Sequence, residues 1–235
     1  MRDGMRLLIV GDGKMGRAVA GLAAARGHGA TIVGRNENAG GHGLTAERIR
    51  GHDVAVEFTR PDAAPANIER LIEAGIPVVT GTTGWDAELP RIIAVVEARK
   101  GALLHAANFS IGVHLFLRAA RALAAEFAGR EGFDGCILEE HHAAKRDAPS
   151  GTARALQQRL RDADPGRLYP ITSVRAGDTP GTHSVSLDGP FETVTLQHTA
   201  RNRDGFAAGA LAAAEWLPGR TGVFTFDAML FGDHR

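Results

Sequence analysis

The segment EEHHAAKRDAPSGTA, residues 139–153, concentrates side chains that could carry protons. It contains His141, His142 and Lys145, the last being one of only three lysines in a chain whose other 24 basic residues are arginines. Imidazole titrates near neutral pH, and lysine, unlike arginine, can release a proton when its pKa is lowered. The pattern indicates a proton-donating site. On these residues alone, a surface loop without a catalytic role is the alternative.

A helix start is predicted at the end of the same segment. In residues 149–152, PSGT, a capping hydroxyl precedes an open glycine, and the unpaired N–H groups of a first helical turn attract anions. Cations beside such a helix start suit a small carboxylate substrate. No metal site is predicted, because His141 and His142 would point to opposite faces of a strand and Cys136 lies too far back for a familiar ligand spacing.

Residues 11–16, GDGKMG, match the pattern G-x-G-x-x-G between a short apolar strand and a helix. The first glycine permits a tight turn, the second lets the backbone approach a pyrophosphate, and the third lets the helix pack on the strand. The pyrophosphate would bind at the helix N-terminus. The segment predicts a dinucleotide site, and a glycine-rich turn without a ligand is the alternative.

The end of the second predicted strand bears on which dinucleotide is bound. An acid that contacts the ribose hydroxyls of NAD is expected there, and Gly34 stands in its place. Arg35 can pair with the 2′-phosphate of NADP, and Asn36 can add a donor, while Glu37 is a weaker candidate for the ribose contact. The pattern predicts NADPH as the preferred cofactor, with NADH also accepted. A solvated surface arginine is the alternative.

Strands and helices alternate in the first half of the chain, which predicts an α/β fold with a Rossmann-like, doubly wound parallel sheet. The predicted strands are 6–10, 30–33, 54–58, 77–80 and 102–106, and the predicted helices are 15–26, 63–74 and 86–99. The second half is predicted to form an α+β region with a mainly antiparallel sheet, because residues along its strands alternate between apolar and polar. Its strands are predicted at 135–140, 172–176, 183–187 and 192–198, and its helices at 110–127 and 152–163. A last helix is predicted at 206–217, before a short apolar piece at 223–226.

Composition narrows the class of protein. The chain has 235 residues, with 27 basic and 27 acidic side chains, and this balance gives no support for a nucleic-acid partner. Its single cysteine excludes an internal disulfide and fits a reducing compartment. No segment has the length and apolarity of a membrane span or a signal peptide. We expect a soluble, cytoplasmic protein with neither nucleic-acid nor membrane partners.

Residues 139–153 also match the signature E-x-H-H-x-x-K-x-D-A-P-S-G-T-A. By this signature the chain resembles the dihydrodipicolinate reductase family, also called 4-hydroxy-tetrahydrodipicolinate reductases, of bacterial lysine biosynthesis. Further segments that resemble the family are 81–85 (GTTGW), 106–110 (AANFS), 175–177, 181–183 and 203–209. The likeness covers nearly the whole chain, and it departs from the family at Gly34 and in a shortened link between Leu160 and Arg175.

The resemblance implies NAD(P)H-dependent reduction of a cyclic imine dicarboxylate to tetrahydrodipicolinate, in the diaminopimelate route to lysine. His141 and Lys145 match the family's proton-handling positions, and His142, Gly151 and Thr152 match its contacts with the substrate carboxylates. The residues that match its cofactor contacts, together with Arg35 from the strand ending, are Gly11, Asp12, Gly13, Lys14, Met15, Gly16, Gly81, Thr82, Thr83, Ala106, Ala107, Asn108 and Phe109.

The resemblance also implies that the chain forms two domains with different functions. Residues 1–109 and 204–235 would form a dinucleotide-binding domain, and residues 110–203 a substrate-binding and oligomerisation domain that builds a homotetramer. Two other classes of protein are the alternatives. An aspartate-semialdehyde-type dehydrogenase needs an activated cysteine, and Cys136 lies inside a predicted strand. A non-catalytic nicotinamide-binding sensor would need a DNA-binding module, and the chain has no basic helix-turn-helix segment.

Overall fold

The computed structural model describes residues 4–232. The chain forms two compact units, one of residues 4–110 with 203–232 and the other of residues 111–202. The boundaries predicted at 109 and 204 differ from these by one residue each. The roles predicted for the two units are taken up below as part of the proposed function.

The first unit contains a six-stranded parallel sheet. Its strands, numbered along the chain, are β1 (Arg6–Val10), β2 (Gly29–Val33), β3 (Val54–Glu57), β4 (Val78–Thr80), β5 (Ala102–His105) and β10 (Gly222–Thr225). Their order across the sheet is β10-β5-β4-β3-β1-β2, and every neighbouring pair is parallel. The order reverses between β1 and β3, and ligands of such sheets bind outside the carboxyl ends of the strands at that point.

Helices cover both faces of this sheet, as a doubly wound fold requires. They are α1 (Lys14–Ala25), α2 (Ala46–Ile49), α3 (Ala64–Glu73), α4 (Leu89–Arg99), α7 (Asp204–Trp216) and α8 (Phe226–Phe231). Side chains alternate between the faces: Leu7 and Ile9 pack in the core with α1 and α7, whereas Leu8 and Val10 pack in the core with α3 and α4. The helix predicted at 86–99 begins as a 3-10 turn and is α-helical only from Leu89.

The second unit combines two helices with a four-stranded sheet. Its elements are α5 (Ile111–Phe127), β6 (Asp134–His141), α6 (Gly151–Ala163), β7 (Ile171–Arg175), β8 (Thr182–Asp188) and β9 (Thr193–Thr199). The order is β7-β6-β8-β9, with β7 parallel to β6 and the other two pairings antiparallel. Both helices pack on one face of the sheet around Ile137 and Val185, while the opposite face exposes Cys136 and Leu138.

The fold class predicted from the sequence is therefore confirmed. The apolar piece at 223–226 contributes β10, which pairs with β5 and completes the parallel sheet. Within residues 4–232, no helix combines the length and the apolar character that a membrane crossing requires.

Candidate active site

The glycine loop after β1 has the backbone geometry that its spacing predicts. Gly11 lies at φ +112°, where a Cβ atom would come within 2.2 Å of the Phe58 carbonyl oxygen. A Cβ atom on Gly16 would come within 2.0 Å of the Gly11 carbonyl oxygen, so the glycine lets α1 pack against the loop. Gly13 precedes α1 and has open space around it, with no side-chain cap and no acidic residue in the first turn. An anion would meet unpaired N–H groups at this helix start.

A cavity of about 750 Å³ lies beside this loop in the first unit. It joins the ends of β1, β2 and β3, which is the point where the strand order reverses. The residues that line it include Gly11, Asp12, Gly13 and Arg35, four of the predicted cofactor contacts. Arg60 also lines it, and no sequence pattern indicates this residue because it follows β3 without a recognisable motif. The cavity is large enough for a nucleotide-sized ligand.

Two carboxylates lie at the end of β2, although the sequence has no acid at Gly34. The Gly34 N–H donates to Glu37 Oε2 at 2.9 Å, and the Arg35 N–H donates to Asp12 Oδ1 at 3.3 Å. A Cβ atom on Gly34 would lie only 3.0 Å from Asp12 Oδ2, so any side chain there would crowd Asp12. Glu37, interpreted from the sequence as the weaker ribose candidate, thus supplies an acid close to the expected position.

The loops after β4 and β5 line two smaller cavities. One of about 150 Å³ is lined by Thr82, Thr83, Ala106 and Ala107, among other residues. The second, of about 260 Å³, is lined by Met15, Phe58, Gly81, Ala107, Asn108, Phe109, Arg203 and Phe206. All the predicted cofactor residues except Lys14 and Gly16 line one of these three cavities. The cavities lie along one edge of the sheet, where the strands end.

Hydrogen bonds brace the loops at this edge. The Thr59 N–H donates to Thr82 Oγ1 at 2.9 Å, and the Trp85 indole N–H donates to the Thr82 carbonyl at 2.7 Å. Asn108 Oδ1 accepts from the Ser110 N–H at 2.7 Å. The loops are therefore held in place by their own side chains, which favours a preformed binding site.

In the second unit, the fully buried carboxylate of Glu139 is the centre of a polar cluster. Its Oε1 accepts hydrogen bonds from the Ser150 N–H at 3.0 Å, Ser173 Oγ at 2.6 Å and an Arg175 guanidinium N–H at 2.7 Å. Its Oε2 lies 2.9 Å from His141 Nδ1, in ion-pair range but without hydrogen-bond alignment. One carboxylate thus connects β6, β7 and the start of α6.

Strand register explains why these residues meet. Glu139 lies opposite Ser173 on β7 and opposite His183 on β8, and His141 lies opposite Arg175. Glu139 and His141 share one face of β6 because alternate residues of a strand point the same way. Glu139, Arg175 and His183 lie in segments that resemble the family, but no sequence pattern predicts a site role for them, because their proximity depends on strand pairings.

The pKa values of the cluster reflect burial and hydrogen bonding. Burial acts to raise the pKa of Glu139, but hydrogen bonds from Ser173, Arg175 and Ser150 outweigh it and lower that pKa to about 2. Burial lowers the pKa of His141, and it lowers the pKa of His183 to about 4. The cluster therefore holds a charged carboxylate beside two imidazoles whose burial favours the neutral form.

Lys145 and His142 lie just beyond the end of β6. The Lys145 ammonium donates to both oxygens of Asp147, at 2.7 and 2.9 Å, and this ion pair lowers the pKa of Asp147. An Arg175 guanidinium N–H donates to the Asp147 carbonyl at 2.6 Å. His142 is half-buried and its carbonyl accepts from the Lys145 N–H at 3.1 Å. The loop that carries Lys145 is thereby tied to the Glu139 cluster through Arg175.

The start of α6 has the predicted cap. Ser150 Oγ accepts from the Ala153 N–H at 3.2 Å and lies 3.0 Å from His183 Nε2. Gly151 has no heavy atom within 4 Å of the position a Cβ would take, and Thr152 is half-buried. The structure therefore brings His141, Lys145 and the open N-terminus of α6 to the same end of the second unit's sheet. This arrangement can bind an anion and exchange a proton.

The same cluster offers ligand atoms that a metal ion could bridge, which the sequence spacing did not indicate. One atom each from Glu139, His141 and His183 lies within 4.8 Å of the others. However, Glu139 Oε1 already accepts from Arg175, and His183 Nε2 is engaged by Ser150. A nearby guanidinium disfavours a second cation.

These features define a class of protein: an oxidoreductase that binds a pyridine nucleotide at the edge of a doubly wound sheet. The model for "Dihydrodipicolinate reductase, N-terminus" matches residues 5–109, and that for "Dihydrodipicolinate reductase, C-terminus" matches residues 112–230. The chain belongs to the dihydrodipicolinate reductase family.

Individual relatives agree with this assignment. The chain is 34% identical to the 4-hydroxy-tetrahydrodipicolinate reductase of Christiangramia forsetii, over 96% of this chain and 98% of that protein. It is 36% identical to the enzyme of the same name from Thiobacillus denitrificans, over 92% and 94%. A solved structure of dipicolinate-bound dihydrodipicolinate reductase from Paenisporosarcina sp. TG-14 has the same fold, with a TM-score of 0.78, 23% identity and coverage of 94% and 97%.

Family membership decides between the classes weighed from the sequence. The chain is an oxidoreductase of this family and neither an aspartate-semialdehyde-type dehydrogenase nor a non-catalytic sensor. Cys136, which the first of these would need as an activated nucleophile, is exposed on the side of β6 that faces away from α5 and α6.

Proposed function

We propose that this protein reduces 4-hydroxy-tetrahydrodipicolinate to tetrahydrodipicolinate with NAD(P)H, on the diaminopimelate route to lysine. Loss of the 4-hydroxyl group and a neighbouring hydrogen as water leaves a conjugated cyclic imine, and one hydride and one proton then complete its reduction. The reduced nicotinamide supplies the hydride, and the protein supplies orientation and electrostatics. The observation that carries the proposal is the joining of His141, Lys145 and the open start of α6 around one buried carboxylate.

In this proposal His141 is the proton donor and Lys145 the second proton-handling group. A dicarboxylate substrate brings two negative charges beside His141, and these favour its imidazolium form. The Lys145 ammonium is positioned by Asp147 and adds positive charge near the substrate. Positive groups close to the ring nitrogen stabilise the negative charge that develops as hydride adds to the conjugated imine.

The substrate carboxylates bind to His142, Gly151 and Thr152. The first turn of α6 contains no acidic residue, and Gly151 leaves the approach to its N–H groups open. Helix N-termini of this kind bind carboxylates. The solved relative that holds dipicolinate, a planar dicarboxylate, supports this substrate class.

The cofactor in this proposal is NADPH by preference, with NADH also accepted. Arg35 is exposed and lines the 750 Å³ cavity together with Arg60, and a guanidinium can bind a 2′-phosphate through two hydrogen bonds. Glu37 and Asp12 lie beside Arg35 and provide the carboxylates that a ribose 2′-hydroxyl would use. The balance between these guanidinium groups and carboxylates sets the ratio of NADPH-dependent to NADH-dependent activity.

The two units then have different tasks. Residues 1–109 and 204–235 bind the dinucleotide, and residues 110–203 bind the substrate and join four copies into a homotetramer. The face of the four-stranded sheet that α5 and α6 leave uncovered is the surface proposed for this assembly. The lone cysteine fits a reducing, cytoplasmic setting.

A coupled assay tests this function. The unstable substrate is generated in situ, and consumption of NADPH or NADH is followed by absorbance. We expect turnover that depends on the substrate-generating step and that dipicolinate inhibits competitively against the substrate. An absence of nucleotide oxidation with active substrate supply would refute the proposal.

A further inference from the structure

Glu139 has a contact that the proposed reaction does not yet use. Its Oε1 is occupied by three donors, whereas its Oε2 is buried and faces His141 Nδ1 at 2.9 Å. Both Oε2 and Nδ1 lie away from solvent and have no aligned partner within residues 4–232. A small rotation of the imidazole ring would align this pair, and hydrogen bonds of active sites often tighten only when substrate binds.

We propose that Glu139 is the positioning residue that keeps the proton of His141 on Nδ1 and thereby leaves Nε2 as the atom that exchanges a proton with the substrate. The proposal rests on the proton-donor role proposed for His141. A carboxylate only accepts hydrogen bonds, so the imidazole atom facing it must carry a hydrogen in both the neutral and the charged ring. Proton gain and loss is then confined to Nε2.

The opposite edge of the imidazole supports this assignment. Gly181 faces it, and a Cβ atom at that position would lie 3.1 Å from His141 Nε2. Any side chain at residue 181 would therefore crowd the atom that is proposed to exchange the proton. One edge of the ring thus meets a buried acceptor, and the other meets a residue without a side chain.

The remaining charges around His141 are consistent with a proton at Nδ1 rather than a metal ion. The groups that face or surround the ring are Glu139 from β6, Lys145 and Asp147 from the following loop, Arg175 from β7 and His183 from β8. Of these, the two carboxylates raise the pKa of His141, and the two cations lower it, with burial as the largest cause and acting downward. Removing the negative charge of Glu139 therefore moves the His141 titration to lower pH.

Glu139→Gln is the informative variant because the three donors at Oε1 dictate how the new amide must turn. Ser150, Ser173 and Arg175 all donate, so they retain the amide oxygen and force the NH₂ group toward His141 Nδ1. Nδ1 must then accept, and the neutral ring carries its hydrogen on Nε2 instead. The charged ring would place two donors against each other, so the proton-donating form is disfavoured.

The tautomer is measured by ¹⁵N NMR of histidine-labelled protein without substrate or cofactor, with His141 assigned from its loss in His141→Ala. We expect the neutral ring to carry its hydrogen on Nδ1 in the native protein and on Nε2 in Glu139→Gln. A native ring protonated on Nε2 would overturn the proposal whether or not the variant folds. Because no turnover is involved, this result is independent of whether His141 is the proton donor.

Kinetics provide the second readout. We expect Glu139→Gln to lower kcat about 10- to 100-fold, less than the roughly 100- to 10,000-fold that a proton donor itself contributes, with little change in KM for the nucleotide. The fall of kcat with rising pH should begin about 1 pH unit lower. The matched control is Glu140→Gln, the neighbouring acid on the opposite face of β6. Equal kcat and an equal pH profile in the two variants would refute the positioning role.

Discussion

The ammonium of Lys145 is held in a defined place because it donates hydrogen bonds to both carboxylate oxygens of Asp147, at 2.7 and 2.9 Å. The sequence interpretation stressed the capacity of a lysine to lose a proton. The structure adds an ion pair that fixes the position of the ammonium, and it connects Asp147 to Glu139 through Arg175. At the scale of single residues, contacts through Asp147, Arg175 and Glu139 link Lys145 to His141, the two groups proposed to act on the substrate.

Lys145→Ala should reduce kcat by about 100- to 10,000-fold, the usual contribution of a proton-handling group, with nucleotide binding unchanged. His141→Ala should act in the same direction but less severely, because a water molecule that fills the space of the imidazole can deliver the proton. The measurements are steady-state kinetics and nucleotide titration by fluorescence. Arg146→Ala, at an exposed position of the same loop, is the control and should retain activity. Unchanged turnover in Lys145→Ala would contradict the mechanism.

Cofactor choice should depend on two neighbouring residues in opposite ways. Arg35→Ala removes a charge-assisted contact worth about 1.5–3 kcal/mol, so kcat/KM for NADPH should fall roughly 10- to 100-fold while that for NADH changes little. Glu37→Gln removes a carboxylate beside Gly34, so kcat/KM for NADH should fall and that for NADPH should rise. Arg48 pairs with Glu37 at 3.4 Å, and Arg48→Ala controls for loss of that ion pair. If the ratio of kcat/KM for NADPH to kcat/KM for NADH changes in neither variant, this loop does not discriminate between the nucleotides.

At the scale of elements, parallel strands and the helices that follow them bring distant residues to one edge. The glycine loop, Gly34, the Phe58 loop and the loop at Gly81 each follow the carboxyl end of a strand. Since all six strands of the sheet run the same way, these ends lie side by side. The site's position is thus a property of the topology, and the loops only supply its chemistry.

Gly16→Ala should damage both stability and nucleotide affinity, because the new methyl group would lie 2.0 Å from the Gly11 carbonyl oxygen and α1 would have to move away. The matched control is Gly21→Ala in the same helix, where nothing lies within 4 Å. That change should stabilise the protein by about 0.5–1 kcal/mol, because alanine favours a helix over glycine. Urea denaturation and nucleotide titration measure both effects. A loss of stability in Gly21→Ala equal to that in Gly16→Ala would contradict the close-packing argument.

The whole molecule consists of two units that each bury an apolar core of their own. The first encloses its sheet between helices, whereas the second covers one face only and leaves Cys136 and Leu138 on the other. Phe191, in the connection between β8 and β9, is 97% exposed. An open sheet face with exposed apolar side chains is typical of an interface between copies of a chain.

The proposed homotetramer should therefore be sensitive to charge on this face. Light scattering should give four copies for the native protein, and Leu138→Glu should shift the mass toward smaller species without loss of helix content. Leu168→Glu, at an exposed residue outside the sheet, is the control and should leave the mass unchanged. A native protein that stays monomeric at micromolar concentration would contradict the proposed assembly.

Stability should fall as the pH is lowered, first through His183 and then through Glu139. The folded pKa of His183 is about 4 against 6.5 in a model peptide, so its contribution is complete above pH 6.5 and is lost between there and 4. The folded pKa of Glu139 is about 2 against 4.5, so its contribution is lost as the pH falls from 4.5 toward 2. Urea midpoints at pH 7 and 5 should differ less in His183→Gln than in the native protein. The exposed His42→Gln is the control, and a native-sized difference in His183→Gln would refute the assignment.

The sequence by itself determined the local features of this protein. Glycine spacing predicted the turn before α1, Ser150 predicted the cap of α6, and apolar and polarity patterns placed every strand except β10 within about two residues. Such features depend on a few neighbouring residues whose backbone and side-chain preferences are short in range. The signature segment around His141 and Lys145 likewise is continuous in the chain.

Only the tertiary structure decided which distant groups meet. The contacts of Glu139 with Ser173 and Arg175, the place of Glu37 beside Gly34, and the pairing of β10 with β5 join positions that no local pattern connects. The physical reason is that strand register and strand order are set by the burial of many side chains at once. A buried carboxylate then accepts hydrogen bonds from whichever donors this packing brings close to it.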